Sequence, residues 1–244
     1  MATTVVNVEN VVKEFTIHNT HSLKESVGYL LTGKRKDLSS QFRALNDVSF
    51  QVEQGDTVGL IGFNGSGKST MLKLISGVMW PDEGLVEVRG RMAGLIEVGA
   101  GFHPDLTGRE NVFLNGAILG MTKDEIEAAY DSIVDFSEIH QFIDTEVRFY
   151  SSGMFLRLAF AVAVHTNPDV FLVDEILAVG DEPFQKKCLH RIHEMQEDGA
   201  SLVIVSHDLD MVKNLCNRGI FLENGVIKSD ASADEAVARM RGEE

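Results

Sequence analysis

A glycine-rich segment between two apolar stretches is the feature that most constrains how this chain can fold. Residues 62–70 read Gly-Phe-Asn-Gly-Ser-Gly-Lys-Ser-Thr and match the pattern G-x-x-x-x-G-K-[ST]. Thr57–Ile61, before it, predicts a short buried strand, and Met71–Ile75, after it, predicts a helix that ends at Gly77. A strand, a glycine-rich turn and a helix in this order indicate an α/β fold whose backbone amides surround a phosphate group.

The residues of this segment have separate chemical roles. The glycines allow the amides to turn inward, Lys68 supplies a cation for the β- and γ-phosphates, and the Ser69 hydroxyl is a ligand for Mg²⁺. An incidental turn that contains a lysine is the alternative, and the flanking strand and helix disfavour it. Lys68 is also a predicted catalytic residue. The residues predicted to bind the nucleotide here are Gly62, Asn64, Gly65, Ser66, Gly67, Lys68, Ser69 and Thr70.

A second apolar stretch ends in two carboxylates. Val170–Val173 predicts a buried strand, and Asp174 and Glu175 follow it directly. A carboxylate at the end of such a strand, beside a phosphate-binding loop, is suited to hold Mg²⁺, and the next one to polarise the attacking water. A strand followed by a solvated acidic turn would explain the pattern if it stood alone. Together with the glycine-rich segment, it predicts Asp174 as a metal ligand and Glu175 as the general base.

Two further segments are ambiguous in isolation. Tyr150–Met154 reads Tyr-Ser-Ser-Gly-Met and precedes the apolar stretch Phe155–Val164, so its serines are suited to cap a helix. His207 follows the predicted strand Leu202–Val205, where a lone histidine is usually a surface or cap residue. Their order relative to the other motifs is what gives them functional meaning.

Composition excludes several classes of protein. The chain has 22 basic and 37 acidic residues and therefore a formal net charge of −15. Because a negative charge of this size repels the phosphate backbone of nucleic acids, we expect no nucleic-acid partner. The longest apolar run, Leu158–Val164, is far shorter than the ~20 residues that span a bilayer. Cys188 and Cys216 fit no metal-binding spacing, which favours a reducing cytosol.

In this order the motifs resemble the ATP-binding cassette (ABC) family, and the resemblance covers nearly the whole chain. Gly62–Thr70 is similar to its Walker A motif, Tyr150–Met154 to its signature motif and Val170–Glu175 to its Walker B motif. Ala178–Asp181 lies where the family has its D-loop, and His207 where it has its switch histidine. Motifs in this order and spacing are highly specific.

The resemblance implies an α/β fold: a P-loop NTPase cassette with a RecA-like core, an antiparallel β subdomain and a helical subdomain. Residues 1–244 are expected to form one nucleotide-binding domain, with the helical subdomain at about 108–166. A carbohydrate-binding domain after it is not expected. Valines at 5–12 and the segment Ala44–Val52 predict strands of the antiparallel part.

The resemblance also implies that two cassettes form a head-to-tail homodimer upon binding ATP and Mg²⁺. Ser151, Ser152 and Gly153 would then contact the γ-phosphate bound by the other chain, at the positive end of a helix dipole. His207 would lie on the γ-phosphate side as a catalytic residue, and Asp181 would couple the two sites.

Two departures from the family pattern are informative. The signature is commonly Leu-Ser-Gly-Gly-Gln but here reads Tyr-Ser-Ser-Gly-Met, and the glutamine that reaches Mg²⁺ is absent from residues 95–104. Glu97 is the nearest oxygen-bearing side chain and is the predicted replacement as a metal ligand.

Three segments together resemble the sequences of the polysaccharide-export subfamily: Glu97–Asn111, the Tyr-Ser-Ser-Gly-Met signature and Asp174–Asp181. The resemblance implies an integral membrane permease as partner, two cassettes with two permeases, and a lipid-linked polysaccharide as cargo. The chain would then sit at the cytoplasmic face of the cell membrane, held there by the permease.

The residue that stacks on adenine is open. The family places an aromatic residue just after the first strand, which here is Phe15, although Phe15 could equally belong to the core. Tyr29 or Phe42 could take its place.

Other functions fit less well. A small-molecule kinase would not explain the Ser-Ser-Gly segment together with His207, and a DNA-repair ATPase would need long heptad arms that this chain lacks. A further alternative is an ATPase subunit of an importer or a drug exporter, which would have the same ATPase activity and differ only in the molecule that is transported.

Local patterns also predict individual helix starts and turns. Ser22–Glu25, Thr122–Glu125 and Ser232–Glu235 each match a helix capping box. Glu223-Asn224-Gly225, between short apolar runs, predicts a β-hairpin.

Overall fold

A computed structural model describes residues 3–18, 39–95, 99, 101–174 and 181–243. Two long strands begin the chain, β1 (Thr4–His18) and β2 (Ser39–Glu53), and pair antiparallel. With β4 (Glu83–Val88) they form a three-stranded sheet in the order β2-β1-β4. The strands predicted near the start of the chain are confirmed, and both extend beyond the predicted segments.

A second sheet has six strands in the order β5-β6-β7-β3-β8-β9. The first five are parallel, and β9 pairs antiparallel with β8. Its strands are β3 (Thr57–Ile61), β5 (Met92–Gly94), β6 (Val170–Val173), β7 (Ser201–Val205), β8 (Arg218–Glu223) and β9 (Val226–Ser232). The strand bounds predicted for β3 and β6 are confirmed, whereas the short β5 carries no periodic signal and was not predicted.

Apolar clusters cover both faces of the parallel strands. In β6, Phe171 and Val173 belong to one buried cluster, and Val170 and Leu172 to the cluster on the other face. This explains why the central strands are apolar throughout rather than alternating. Because the strands are parallel, the residues that follow β3, β6 and β7 all emerge at one edge of the sheet.

The described residues include seven α-helices. They are α1 (Lys68–Ile75), α2 (Gly108–Ile118), α3 (Lys123–Ser137), α4 (Ser152–Val164), α5 (Glu182–Glu197), α6 (Leu209–Leu215) and α7 (Ala233–Arg241). Helices α2, α3 and α4 share an apolar cluster of their own, distinct from the two clusters on the sheet. None of the described helices is long and apolar enough to cross a membrane.

The predicted helix starts and the hairpin can be checked individually. Capping boxes are present at Thr122 and Ser232, as predicted, and the hairpin turn lies between β8 and β9 with Asn224 and Gly225 at positive φ. A third box, at Thr107, begins α2 and was not predicted. The predicted box at Ser22–Glu25 lies outside the described residues.

Both cysteines are buried thiols. Burial raises the pKa of Cys188 and of Cys216 to about 12, so neither forms the reactive thiolate at neutral pH. Because the folded-state pKa lies above that of an unfolded cysteine, these thiols favour the folded state below about pH 8.5 and lose that contribution as the pH rises toward 12.

We therefore expect a disulfide reagent such as DTNB to label neither thiol of the folded protein at pH 8. Both should react within minutes in guanidinium chloride, where burial is lost. Absorbance of the released thiolate measures this, and rapid labelling of the folded chain would contradict the described burial of Cys188 and Cys216.

Candidate nucleotide-binding site

The turn between β3 and α1 is tightly enclosed by backbone, and only glycine fits at two of its positions. A Cβ on Gly62 would lie 2.2 Å from the carbonyl oxygen of Leu222, and a Cβ on Gly67 would lie 2.7 Å from that of Ala44. Gly65 has open space around it but adopts φ +77°, which glycine adopts without strain. The path of the chain therefore requires glycine at 62 and 67, and at 65 it favours glycine through the positive φ.

Lys68 turns its side chain back into this loop. Its Nζ atom donates hydrogen bonds to the carbonyl oxygens of Gly62, at 2.9 Å, and Phe63, at 3.2 Å, and the residue is only 5% exposed. The ammonium group is thereby held inside the glycine-rich turn, at the carboxyl edge of the parallel strands. A fixed cation surrounded by backbone is suited to bind anionic phosphate oxygens.

Several oxygen-bearing side chains lie in the same region and are suited to bind a phosphate group together with Mg²⁺. The Ser66 hydroxyl is buried and has no hydrogen-bond partner within the described part of the chain. Ser69 lies in the first turn of α1, and Asp174 is half-buried directly after β6, at the same edge of the sheet as the loop. Hydroxyl and carboxylate oxygens are the ligands that Mg²⁺ prefers, so the residues present fit that ion.

A cleft of about 190 Å³ brings together residues that are far apart in the sequence. Asn64–Thr70 forms one wall, and the lining is completed by Phe15, Phe42, Ala44 and His207. Phe15 and Phe42 face each other as a register pair between β1 and β2, and Phe42 is 47% exposed. The aromatic pair, the loop and the histidine thus line one cleft, which offers aromatic rings to a base and backbone amides to phosphates.

The contribution of the aromatic pair can be tested directly. We expect Phe15→Ala to lower the affinity for ATP about tenfold, because stacking of a base on an aromatic ring contributes roughly 1–3 kcal/mol. Phe15→Tyr should retain most of the affinity. Isothermal titration calorimetry measures both variants, and Phe149→Ala, an exposed phenylalanine that does not line the cleft, is the matched control. Full affinity in Phe15→Ala with loss in Phe42→Ala would move the stacking role to Phe42.

Ser151, Ser152 and Gly153 lie elsewhere, at the exposed start of α4, and do not line this cleft. Ser151 is the N-cap, and its hydroxyl accepts a hydrogen bond from the Met154 amide at 3.2 Å. The capping role is therefore confirmed. A Cβ on Gly153 would meet nothing nearer than 3.9 Å, so no contact within the described chain requires glycine there.

Tyr150 anchors this segment to the rest of the helices. Its hydroxyl donates a hydrogen bond to the carbonyl oxygen of Phe142 at 2.8 Å, and burial raises its pKa to about 12. A Cβ on Gly108 would lie 2.0 Å from that hydroxyl oxygen. The tyrosine at the first signature position thus packs directly against Gly108, where a side chain would displace the tyrosine hydroxyl.

Asp181 also lies outside the cleft, at the N-cap position of α5. Its Oδ1 atom accepts a hydrogen bond from Arg157 of α4 at 2.6 Å, and the same guanidinium donates to Glu138 at 2.6 Å. Arg157 also stacks on Phe184, 4.6 Å from the ring centroid. This linkage between α4 and the start of α5 was not predicted, because no local pattern in the sequence pairs Arg157 with Asp181.

Three predicted site residues lie outside the described residues. They are Glu175, Glu97 and Tyr29. Their predicted roles, as general base, metal ligand and alternative stacking residue, remain predictions.

The glycine-rich loop is enclosed at the carboxyl edge of a parallel sheet, with a lysine inside it and an aromatic pair beside it. This combination defines a P-loop nucleotide-binding protein. The ABC transporter family matches residues 45–178 of this chain. This segment contains the glycine-rich loop, all of α2, α3 and α4, and β6.

Sequence relatives extend the similarity over almost the whole chain. The O-antigen export system ATP-binding protein RfbB of Myxococcus xanthus is 44% identical over 239 residues, which is 96% of this chain and 55% of that protein. The RfbB protein of Klebsiella pneumoniae is 40% identical over 235 residues, 96% of each chain. The chain thus spans about half of the first relative and nearly all of the second.

Solved structures show the same fold. A dimeric ATP-binding cassette in a post-hydrolysis state, bound to ADP and Pi, superimposes with a TM-score of 0.73 at 24% identity, covering 93% of this chain and 98% of that one. The chain belongs to the ABC transporter family. The predicted α/β cassette fold and the resemblance to the polysaccharide-export subfamily are both confirmed.

Proposed function

We propose that this chain is the ATP-hydrolysing motor subunit of a transporter that exports a lipid-linked polysaccharide across the cytoplasmic membrane. The observation that carries the proposal is the cleft in which Lys68, the phenylalanine pair and His207 meet. The two RfbB relatives, which are named as ATP-binding proteins of O-antigen export systems, support the choice of cargo. An importer or drug exporter is not favoured, because neither relative is named for such a cargo.

The glycine-rich loop binds the ATP phosphates in this proposal, and Lys68 neutralises the β- and γ-phosphate oxygens. Mg²⁺, when bound, draws charge from the transferring phosphoryl group. Ser69 and Asp174 would hold it, and Glu97 would take the position of the glutamine that the family usually has. Asp174 supports this arrangement because it lies at the same edge of the sheet as the loop.

Hydrolysis requires a base for the attacking water. Glu175 would accept a proton from that water as its oxygen bonds to the γ-phosphorus and the bond to the ADP oxygen breaks. His207, which lines the cleft, would orient groups on the γ-phosphate side.

The signature segment completes the site in a second copy of the chain. Ser151, Ser152 and Gly153 are exposed or half-buried at the N-terminus of a 13-residue helix and lie outside their own cleft, as a head-to-tail dimer requires. The amides there and the positive end of the helix dipole would meet the γ-phosphate on the partner. Asp181 would then transmit the state of one site to the other.

The membrane partner in this proposal is an integral permease, with two cassettes and two permeases in the assembly. It would hold the chain at the cytoplasmic face of the membrane. Exposed apolar side chains on α2, among them Leu114 and the 58% exposed Ile118, offer it a contact surface. Residues 1–244 would act as one nucleotide-binding domain, with α2, α3 and α4 as its helical subdomain.

The cargo can be tested by depleting the protein in cells and identifying the lipid-linked polymer that accumulates inside. Wild-type protein should restore export, Lys68→Ala should not, and Lys123→Ala, which removes an exposed lysine of α3, should restore it as the wild type does. Normal export of every lipid-linked polymer in depleted cells would exclude this cargo.

Ser151 offers a test of the dimer that separates its role as a helix cap from contact with phosphate. Asparagine and aspartate both cap helices as well as serine does, so Ser151→Asn and Ser151→Asp should melt close to the wild type. Only aspartate brings a negative charge toward the partner's γ-phosphate. We expect Ser151→Asp to lower hydrolysis at least about tenfold and to prevent ATP-dependent dimerisation, with a smaller loss in Ser151→Asn.

Steady-state hydrolysis and size-exclusion chromatography with ATP measure these effects. Ser232→Asp is the control for adding a charge at a helix cap, because Ser232 caps α7 and belongs to no predicted site segment. Its hydroxyl also donates to the Glu235 carboxylate at 2.8 Å, so the rates of the two variants are compared per folded protein. If Ser151→Asp hydrolyses ATP as fast as Ser232→Asp, Ser151 is a helix cap and nothing more.

A further inference from the structure

The turn between β8 and β9 reaches two other parts of the molecule through a single residue, Gly225. Its amide donates a hydrogen bond to the carbonyl oxygen of Ser66, in the glycine-rich loop, at 3.0 Å. Its own carbonyl oxygen accepts a hydrogen bond from the Asn46 amide, in β2, at 2.8 Å. One residue therefore connects the loop of the parallel sheet to a strand of the antiparallel sheet.

The space around Gly225 leaves no room for a side chain. A Cβ there would lie 2.6 Å from the carbonyl oxygen of Ala44 and 3.1 Å from the Cα atom of Leu45. Both are backbone atoms, so no side-chain rotation can relieve the contact, and Gly225 also adopts φ +75°. The same Ala44 oxygen would lie 2.7 Å from a Cβ on Gly67. The backbone of β2 is thus packed between two glycines, one in the turn and one in the loop.

This contact lies close to the aromatic side of the cleft. Phe42 precedes Ala44 by two residues in β2 and pairs with Phe15 of β1. The aromatic pair therefore belongs to the antiparallel sheet, and the loop that holds Lys68 belongs to the parallel one. The distance between them depends on how closely β2 approaches the loop, and Gly225 is bonded to both.

We propose that Gly225 is a positioning residue that sets the spacing between the aromatic pair, which binds the base, and the glycine-rich loop, which binds the phosphates. The proposal rests on the proposed function as an ATP-binding subunit. A methyl group at position 225 would push β2 away from the turn. A ligand that contacts both the aromatic pair and the glycine-rich loop would then bind less tightly. A ligand that contacts only the loop would keep its affinity.

The experiment compares Mg-ATP with Mg-tripolyphosphate, which carries the phosphates without a base, by calorimetric titration of the wild type and Gly225→Ala. We expect the substitution to weaken binding of ATP about tenfold and binding of tripolyphosphate less than about threefold. Gly199→Ala is the matched control, because Gly199 has a comparable φ of +89° but open space where the Cβ would be. It should bind both ligands as the wild type does.

The outcomes separate the two proposals. Equal loss of both ligands in Gly225→Ala would mean that Gly225 only shapes the loop, and no loss of either would exclude any positioning role. Wild-type protein that binds neither ligand would instead refute the proposed function itself.

A measurement on the wild type covers the case in which Gly225→Ala does not fold. Hydrogen exchange of the Asn46 amide, followed by NMR, reports on the bond to Gly225. It should slow when ATP bridges the two sheets and stay unchanged with tripolyphosphate. The same exchange rate with both ligands would overturn the proposal.

Discussion

Lys68→Ala is expected to lower ATP hydrolysis at least about a hundredfold, because it removes a preorganised cation from the groups that stabilise the transferring phosphate. The Lys68 ammonium is held in the loop by the carbonyl oxygens of Gly62 and Phe63. A cation in fixed surroundings does not need to reorganise as charge develops during the reaction. Its removal therefore affects the reaction more than the stability of the fold.

Lys68→Arg distinguishes charge from geometry. The guanidinium keeps the positive charge but is broader and planar, and the loop around the 5% exposed lysine leaves little space for it. We expect hydrolysis by Lys68→Arg to be nearly as slow as by Lys68→Ala. Phosphate release measures the rates, and Lys123→Ala, which removes the same charge from an exposed pair on α3, serves as the control. Hydrolysis by Lys68→Ala at more than a tenth of the wild-type rate would exclude the assigned role.

Features set by short stretches of sequence were the ones that could be predicted. The glycine-rich loop, the buried strands β3 and β6, two capping boxes and the β8–β9 hairpin each depend on residues that are neighbours in the chain. Their backbone geometry follows from local sterics and from apolar burial on both faces of a parallel sheet. For these elements the predicted and observed structures agree closely.

Features that depend on packing between distant segments could not be predicted from local patterns. Phe15 and Phe42 are brought together by the register of two long antiparallel strands, which no short motif specifies. Arg157 joins Glu138 and Asp181 across three helices, and Gly225 meets the loop across two sheets. These contacts become visible only once the topology is known.

The order of the two carboxylates after β6 matters for the chemistry. Asp174 directly follows a strand that is fully buried and is itself half-buried, so its backbone is fixed by the sheet. Such a residue is suited to hold a metal ion in one place. Glu175 is the next residue, and we assign the general base to it because the resemblance to the ABC family gives that role to the carboxylate that directly follows the metal-binding one.

We therefore expect Glu175→Gln to bind Mg-ATP normally and to hydrolyse it at least about a hundredfold more slowly, in line with the usual contribution of a general base. The amide is nearly the same size as the carboxylate but cannot accept the proton. Because ATP then persists between two chains, the variant should elute as a dimer in size-exclusion chromatography with ATP and as a monomer without it.

Glu182→Gln is the matched control: it removes the same charge from an exposed i,i+4 pair with Lys186, and pairs of that kind contribute little to stability. It should hydrolyse ATP at the wild-type rate and form no trapped dimer. If Glu175→Gln turns over at a rate close to that of Glu182→Gln, the base is a different residue, and Asp174→Asn would be the next variant to measure.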